Sequence, residues 1–205
     1  MMKVLMLNGS PHEHGCTDTA LREVAKALAS EGVESEILWL GTGPQRDCVA
    51  CGGCRGTGRC VFNDDLVNVI LEKAESCGGF VFGTPVYYAH PSGRILSVLD
   101  RVFYAGSREF SHKPGAAVVS ARRGGTTASF DVLNKYFTIA EMPVVSSTYW
   151  NMVHGTCPED VLQDAEGLQV MRNLGRNMAW LMRCIDKSGV SLPENEYQNR
   201  TNFIR

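Results

Sequence analysis

No uncharged apolar stretch in these 205 residues approaches the length that crosses a bilayer. The amino-terminal apolar run is short and gives way to Asn-Gly-Ser-Pro, with no A-x-A-like site behind a longer apolar core, so it does not read as a secretory signal. Charge of one sign is missing too. Twenty Lys and Arg against 22 Asp and Glu leave a net −2, and a pI near 6.2 offers nothing to a polyanion or an anionic membrane. The pair Arg122-Arg123 is too small a basic cluster to change that. There is no internal repeat and no low-complexity tract. These absences leave a cytosolic chain with no nucleic-acid or membrane partner as the expectation.

What is present suits an ordinary core: 44% hydrophobic and 20% charged residues, in a length that fits one domain or one domain with an appendage. Eight cysteines in a cytosolic protein point to metal or redox chemistry rather than a disulfide framework.

The chain is organised around Met2–Thr19. A short apolar run, Val4–Leu7, breaks at Asn8-Gly9 into a loop holding Ser10, Pro11, Gly15, Thr17 and Thr19. An amphipathic pattern follows through Ala20, Leu21, Val24, Ala25 and Leu28. In a strand–loop–helix unit, free N–H groups and the positive end of the helix dipole converge at the loop, which suits a phosphate. The loop is neither G-x-G-x-x-G nor a Walker A sequence, which disfavours a dinucleotide fingerprint and a P-loop. A terminal monophosphate such as that of FMN fits hydroxyls at Ser10, Thr17 and Thr19 better. The same residues also suit a plain turn capped by Thr17.

The pattern then predicts strands over Val33–Leu40, Gly79–Thr84, Pro114–Ala121 and Pro143–Thr148. It predicts helices from Leu66 to about Ser76, from Ser92 or Gly93 through Phe103, and after Gly124–Thr127 through Phe137. Thr156-Cys157-Pro158-Glu159 has capping-box spacing and opens one long helix through Ile185, ending near Gly189. Five strands alternating with five helices predict an α/β fold, a flavodoxin-like three-layer sandwich. Its five-stranded parallel sheet takes the order 2-1-3-4-5, with a cysteine-rich insert after strand 2. Residues 1–189 form the expected domain, with the insert at 41–61 and a tail at 190–205.

In that order the loops after strands 1 and 3 face each other across a crevice. The second loop holds Thr84, Pro85, Val86, Tyr87 and Tyr88, with planar rings suited to an isoalloxazine edge or to half-buried core. The loop after strand 4 holds Ser120, Arg122, Arg123, Gly124 and Gly125. It suits either close backbone approach to an anionic ligand or a solvated turn with a helix cap. The aromatic loop Tyr149–Gly155 suits a cover or a dimer surface. Its His154 suits a hydrogen-bonded structural role better than proton donation.

The insert is the most specific signal. Gly41–Cys60 packs six Gly and four Cys into twenty residues, and Cys48, Cys51, Cys54 and Cys60 read C-x2-C-x2-C-x5-C. Overlapping x2 spacings favour a [4Fe–4S] cubane over zinc, which prefers two separated knuckles. Zinc and unligated thiols remain the alternatives. Cys77 and Cys184 read as core. Cys16 sits in the phosphate loop, where a helix N-terminus lowers a thiol pKa.

Four pieces carry a resemblance: LNGSPHEHGCTDTAL, the Cys48–Cys60 insert followed by Asp64-Asp65, GTPVYYAHPSGRILSVLDR, and SARRGGTT. Over Met1–Gly155 the chain resembles the iron–sulfur flavoprotein branch of the NADPH-dependent FMN reductase (flavodoxin-like) family. The resemblance implies FMN held by Ser10, His12, Cys16, Thr17, Asp18, Thr19, Thr84, Pro85, Val86, Tyr87, Tyr88 and Ser120, with Arg123, Gly124 and Gly125 nearby. It implies a [4Fe–4S] cluster on Cys48, Cys51, Cys54 and Cys60. NAD(P)H or a small redox protein is the implied donor, with a small-molecule acceptor, in a homodimer or homotetramer with FMN near the subunit interface. The chemistry belongs to N5 of FMN, with no catalytic side chain. Alternatives are an NAD(P)H-dependent FMN or quinone reductase with a structural insert, and a non-enzymatic electron carrier or redox sensor. One departure stands out. Where the family's phosphate loop reads S-x-R-x-x-[GS]-N-T, this chain has His12 or Glu13 near the basic position and Cys16 for the asparagine.

Overall fold

The computed structural model describes residues 2–199, 201 and 203; Met1 and the positions 200, 202, 204 and 205 of the expected tail lie outside the described residues. The elements run β1 (Lys3–Asn8), α1 (Cys16–Ser30), β2 (Glu34–Trp39), α2 (Val67–Glu75), β3 (Gly79–Tyr87), β4 (His90–Pro91) and α3 (Gly93–Gly106). They continue with β5 (Gly115–Ala121), α4 (Thr126–Ile139), β6 (Met152–His154), α5 (Pro158–Gln163) and α6 (Ala165–Lys187).

The sheet order is β2-β1-β3-β5-β6, with every neighbouring pair parallel. The short β4 pairs back on β3 as a hairpin arm, so the five principal strands carry the expected 2-1-3-4-5 order. Successive side chains of a strand point to opposite faces, and the buried strands are apolar on both. Leu5, Leu7, Phe80, Phe82 and Ala117 pack under α2, α3 and α4. Val4, Met6, Val81, Ala116 and Val118 pack under α1 and α6. On the first face Phe82 stacks on Phe137 with centroids 5.0 Å apart, and Phe80 meets Phe110 at 4.5 Å.

Three predicted boundaries move. The strand expected over Pro143–Thr148 reduces to a bridge between Val144 and Gly115, and the fifth parallel strand forms later, at Met152–His154. Asn151 explains the shift. It is buried, its side-chain amide donates to the Ala117 carbonyl at 3.0 Å, and its own carbonyl accepts the Val119 N–H, so the chain rejoins the ladder only there. The loop expected after strand 3 is instead a continuation of β3 through Tyr87 and a two-residue turn. Tyr88 and Ala89 there take left-handed φ of 51° and 58°. The single long carboxy-terminal helix is two, broken at Asp164, whose carboxylate accepts the N–H groups of Gly167 and His154. The Thr156 capping box is likewise replaced: Thr156 donates to Asp160, and Cys157 stands at the cap with Pro158 as the first helical residue.

Residues between β2 and α2 form no helix or strand, as the composition of the insert predicts. Among the described residues no helix is long and apolar enough to cross a membrane. Tail residues 190–199 have no regular structure, and Asn195 donates to Glu141 at 2.7 Å.

Candidate functional site: a loop crevice and a cysteine pocket on one helix

The carboxy-terminal ends of β1, β3 and β5 bring the three expected loops together. The Gly9 N–H donates to Gly83 O at 2.8 Å, and the Ser92 hydroxyl donates to Gly9 O at 2.8 Å. The Thr84 hydroxyl accepts the Ser92 N–H at 2.9 Å. Across the sheet, the hydroxyls of Thr17 and Ser120 pair at 2.8 Å, both buried. Gly125, at φ 94°, lies so close to the hairpin that a Cβ there would sit 2.6 Å from Ala89 Cα and 2.8 Å from Val86 Cγ1.

The first loop is shaped by its own polar groups. Buried Asn8 accepts the Ser10 N–H through Oδ1 at 3.0 Å and donates from Nδ2 to Glu13 O at 3.0 Å. Trp39 Nε1 donates to Ser10 O at 2.8 Å. The loop ends at Gly15, which caps α1 with no side-chain bond. Among the described residues the N–H groups of Cys16, Thr17 and Asp18 meet no protein acceptor. Donors left over at a helix N-terminus are the kind of group that suits an anion.

Side chains contribute less to this site than their types suggest. Thr17 is turned to Ser120, and Thr19 donates to Gly15 O at 3.1 Å. Asp18 is buried and accepts from Arg22 Nε at 2.6 Å one turn on along α1, with His14 Nδ1 at 3.3 Å, so the Arg22 guanidinium matches its carboxylate. The Ser10 oxygen accepts the His12 N–H at 3.1 Å, which leaves its proton free to donate. His12 is exposed at the loop's edge. The Cys16 thiol donates weakly to Gly155 O at 3.7 Å, and burial pushes its pKa up, against the lowering expected at a helix N-terminus.

Thr84 is buried and Pro85 and Val86 are partly so, while Tyr87 and Tyr88 stand out of the core, Tyr88 fully exposed. Arg122, Arg123 and Gly124 are exposed. Tyr149 and Trp150 are half exposed on the neighbouring loop, ring against ring at 5.0 Å. His154 is engaged through its backbone with Asp164, as a structural histidine would be.

The four insert cysteines line a single pocket together with Asp47, Val49, Val61, Phe62, Arg101 and Tyr104, and all four are free thiols. The insert is laid along one face of α3. Arg94 donates to the carbonyls of Thr42 and Gly43, Ser97 to Asp47, and Arg101 to Arg46 O; the Cys54 thiol donates to Tyr104 O at 3.7 Å. Positions 94, 97, 101 and 104 share a face at the helical period. From the other side, Asn68 brackets Cys60, accepting its N–H at 2.8 Å and donating to its carbonyl at 2.9 Å. Arg101 is buried, paired with Asp65, and donates from Nη2 to Cys60 Sγ at 3.3 Å. Burial works against its charge, yet the bonds to Asp65 and Cys60 outweigh it and raise its pKa.

Four thiols line one pocket beside a buried cation, a donor set of the chemical type that ligates iron–sulfur clusters. Among the described residues no three His, Cys, Asp or Glu side chains lie close enough together to hold a single metal ion. Helix α3 joins the two regions. Its cap, Ser92, holds the crevice loops, and nine residues on, about 14 Å at about 1.5 Å each, Arg101 lines the cysteine pocket. Sequence periodicity caught the apolar face of this helix and missed Arg94, Ser97 and Arg101; their spacing was the available signal.

A doubly wound parallel sheet in the order β2-β1-β3-β5-β6, with loops meeting at its switch point, defines a flavodoxin-like fold. Residues 2–156 match the NADPH-dependent FMN reductase family, and the chain belongs to it, within its iron–sulfur flavoprotein branch. It is a flavin-dependent oxidoreductase, with FMN as its cofactor. An iron-sulfur flavoprotein of Methanocaldococcus jannaschii is 32% identical over 199 residues, covering 91% of this chain and all (100%) of that protein. Among solved structures, RosB with bound 8-demethyl-8-formylriboflavin-5'-phosphate aligns with TM-score 0.72 at 14% identity, covering 99% of this chain and 92% of that one. A flavodoxin from the domain Archaea aligns with TM-score 0.60 at 13% identity, covering 89% of this chain and 99% of that one. The two structural matches share the fold.

Proposed function

We propose that FMN is held with its phosphate on the N–H groups of Cys16, Thr17 and Asp18, and that Cys48, Cys51, Cys54 and Cys60 hold a [4Fe–4S] cluster in the same chain. The single observation that carries this is α3, which reaches from the crevice at Ser92 to the cysteine pocket at Arg101. When bound, the pair of groups supplies a centre that takes two electrons as hydride and a centre that takes them one at a time.

The chain's residues position these groups and shield them. Ser10 and the loop N–H groups hold the phosphate. The hairpin Thr84–Tyr88 and the Ser120–Gly125 loop flank the ring, with Arg123 free to meet negative charge. His12 stands beside the phosphate, and Asp18 orders the first turn through Arg22 rather than touching the ligand. NAD(P)H is the donor suggested by the family, and a small redox protein would serve the same role. The exposed rings of Tyr87 and Tyr88 on the hairpin, with those of Tyr149 and Trp150 ahead of β6, suit a second copy of the chain covering this side.

The test is the double variant C51S/C54S, purified without air. It is expected to keep FMN and NAD(P)H-dependent flavin reduction while losing its iron and most of its one-electron transfer. Iron and electron transfer both unchanged would remove the cluster. A second reading, an FMN or quinone reductase with a structural insert, draws on the bonds from Arg94, Ser97 and Arg101 that already fix the insert without any metal.

A further inference from the structure

Among the described residues, Arg101 is the one cation that lines the cysteine pocket. Its side chain is 2% exposed and its neighbours account for nearly all of its donors. Nη1 donates to Asp65 and to Arg46 O, and Nη2 to Cys60 Sγ and to Phe62 O. Only Nε is left, buried and without a partner. A guanidinium has five N–H donors in a fixed fork, so four are matched and one is not. The guanidinium is thus anchored in one orientation, with Nη2 held on the Cys60 sulfur that lines the pocket.

We infer that Arg101 is a positioning residue that sets the electrostatic bias of the four-cysteine pocket, favouring the more negative, reduced form of a cluster held there. The inference rests on the cluster-binding reading above. A cubane held by four thiolates is already anionic, and reduction adds a further negative charge. A buried cation bonded to a ligand sulfur therefore stabilises the reduced form more than the oxidised one, as net charge and N–H···S bonds do in such centres. Asp65 opposes it by neutralising part of the Arg101 charge. The two residues should thus move the potential in opposite directions.

The experiment reconstitutes the full chain with iron and sulfide under anaerobic conditions and follows cluster reduction by EPR against ambient potential. It compares the natural chain with R101Q, R101K and D65N. R101Q is expected to lower the reduced-to-oxidised ratio at fixed ambient potential about tenfold, about 59 mV for one electron. R101K, which keeps the charge without the fork, should fall between R101Q and the natural chain, and D65N should titrate at a higher potential. A role confined to clamping the insert would weaken iron retention in R101Q and D65N alike, with no opposed shifts. If the natural chain holds a cluster and these two variants titrate together with it, or shift the same way, the inference is overturned while the cluster reading stands. If R101Q retains no iron, D65N decides: a rise supports the inference and an unchanged or lower value overturns it. A natural chain that assembles no cluster overturns both.

Discussion

At the scale of single residues, the crevice depends on a few groups that join separate loops. Ser92 accepts the Ile95 N–H as the cap of α3 and donates to Gly9 O, so it fixes a helix start and the loop after β1 together. Ser92→Ala is expected to cost about 1–2 kcal/mol, measured by denaturant unfolding, because a cap and a buried bond are lost at once. Gly125→Ala is expected to cost about 1–3 kcal/mol and to weaken FMN binding, since left-handed φ and contact with Ala89 backbone both oppose a Cβ. Titration with FMN, combined with unfolding, checks both parts. Ser92 was legible as a helix start and Gly125 as part of a turn that caps the next helix; the contact of Gly125 with Ala89 was not. The Thr17–Ser120 pair was not. Each hydroxyl looked like a ligand donor, and no local pattern tells that two side chains 103 positions apart consume each other's bonds.

At the scale of elements, the strands, α1 to α4 and the irregular insert follow from apolar period and turn chemistry, which are local. The misplaced pieces lie where a tertiary bond overrides a local pattern. Pro143–Thr148 has the composition of a strand, but the Asn151 amide occupies the Ala117 carbonyl and defers pairing to Met152. The apolar period runs unbroken through Asp164, so the break between α5 and α6 was invisible until the carboxylate was seen to hold two N–H groups. Asp164→Ala is expected to cost about 1–2 kcal/mol and to loosen β6, with faster amide exchange at His154. Helix α3 shows the same limit in another form. Its apolar residues announced a core helix, whereas its role as the support of the insert is written in polar residues whose partners lie 36 to 55 positions away in sequence.

At the scale of the molecule, sheet order was legible because an alternation of buried parallel strands and helices admits few arrangements. The insert was legible because four cysteines are concentrated in it, and the structure brings them to line one pocket. Electrostatics adds a pH dependence that has nothing to do with the cofactors. Glu36 on β2 is held below its ordinary 4.5 by bonds from Lys3 and Lys73. A lowered carboxylate contributes stability that is present above the unfolded value and is lost as pH falls through the folded one. Glu36→Gln should therefore cost up to about 1 kcal/mol near neutral pH, at this partly exposed position, and nothing well below pH 4.5. Unfolding midpoints at both pH values check the sign.

The central claim is that one chain carries both a flavin and a cluster, linked through α3. Its most direct test is an absorption spectrum with iron, zinc and FMN analysis on protein purified without air. The account predicts flavin bands over a broad iron–sulfur shoulder, one FMN and about four irons per chain, as a cubane requires. Flavin bands without iron, or with zinc in its place, would contradict it and leave a flavin reductase whose cysteine insert is structural.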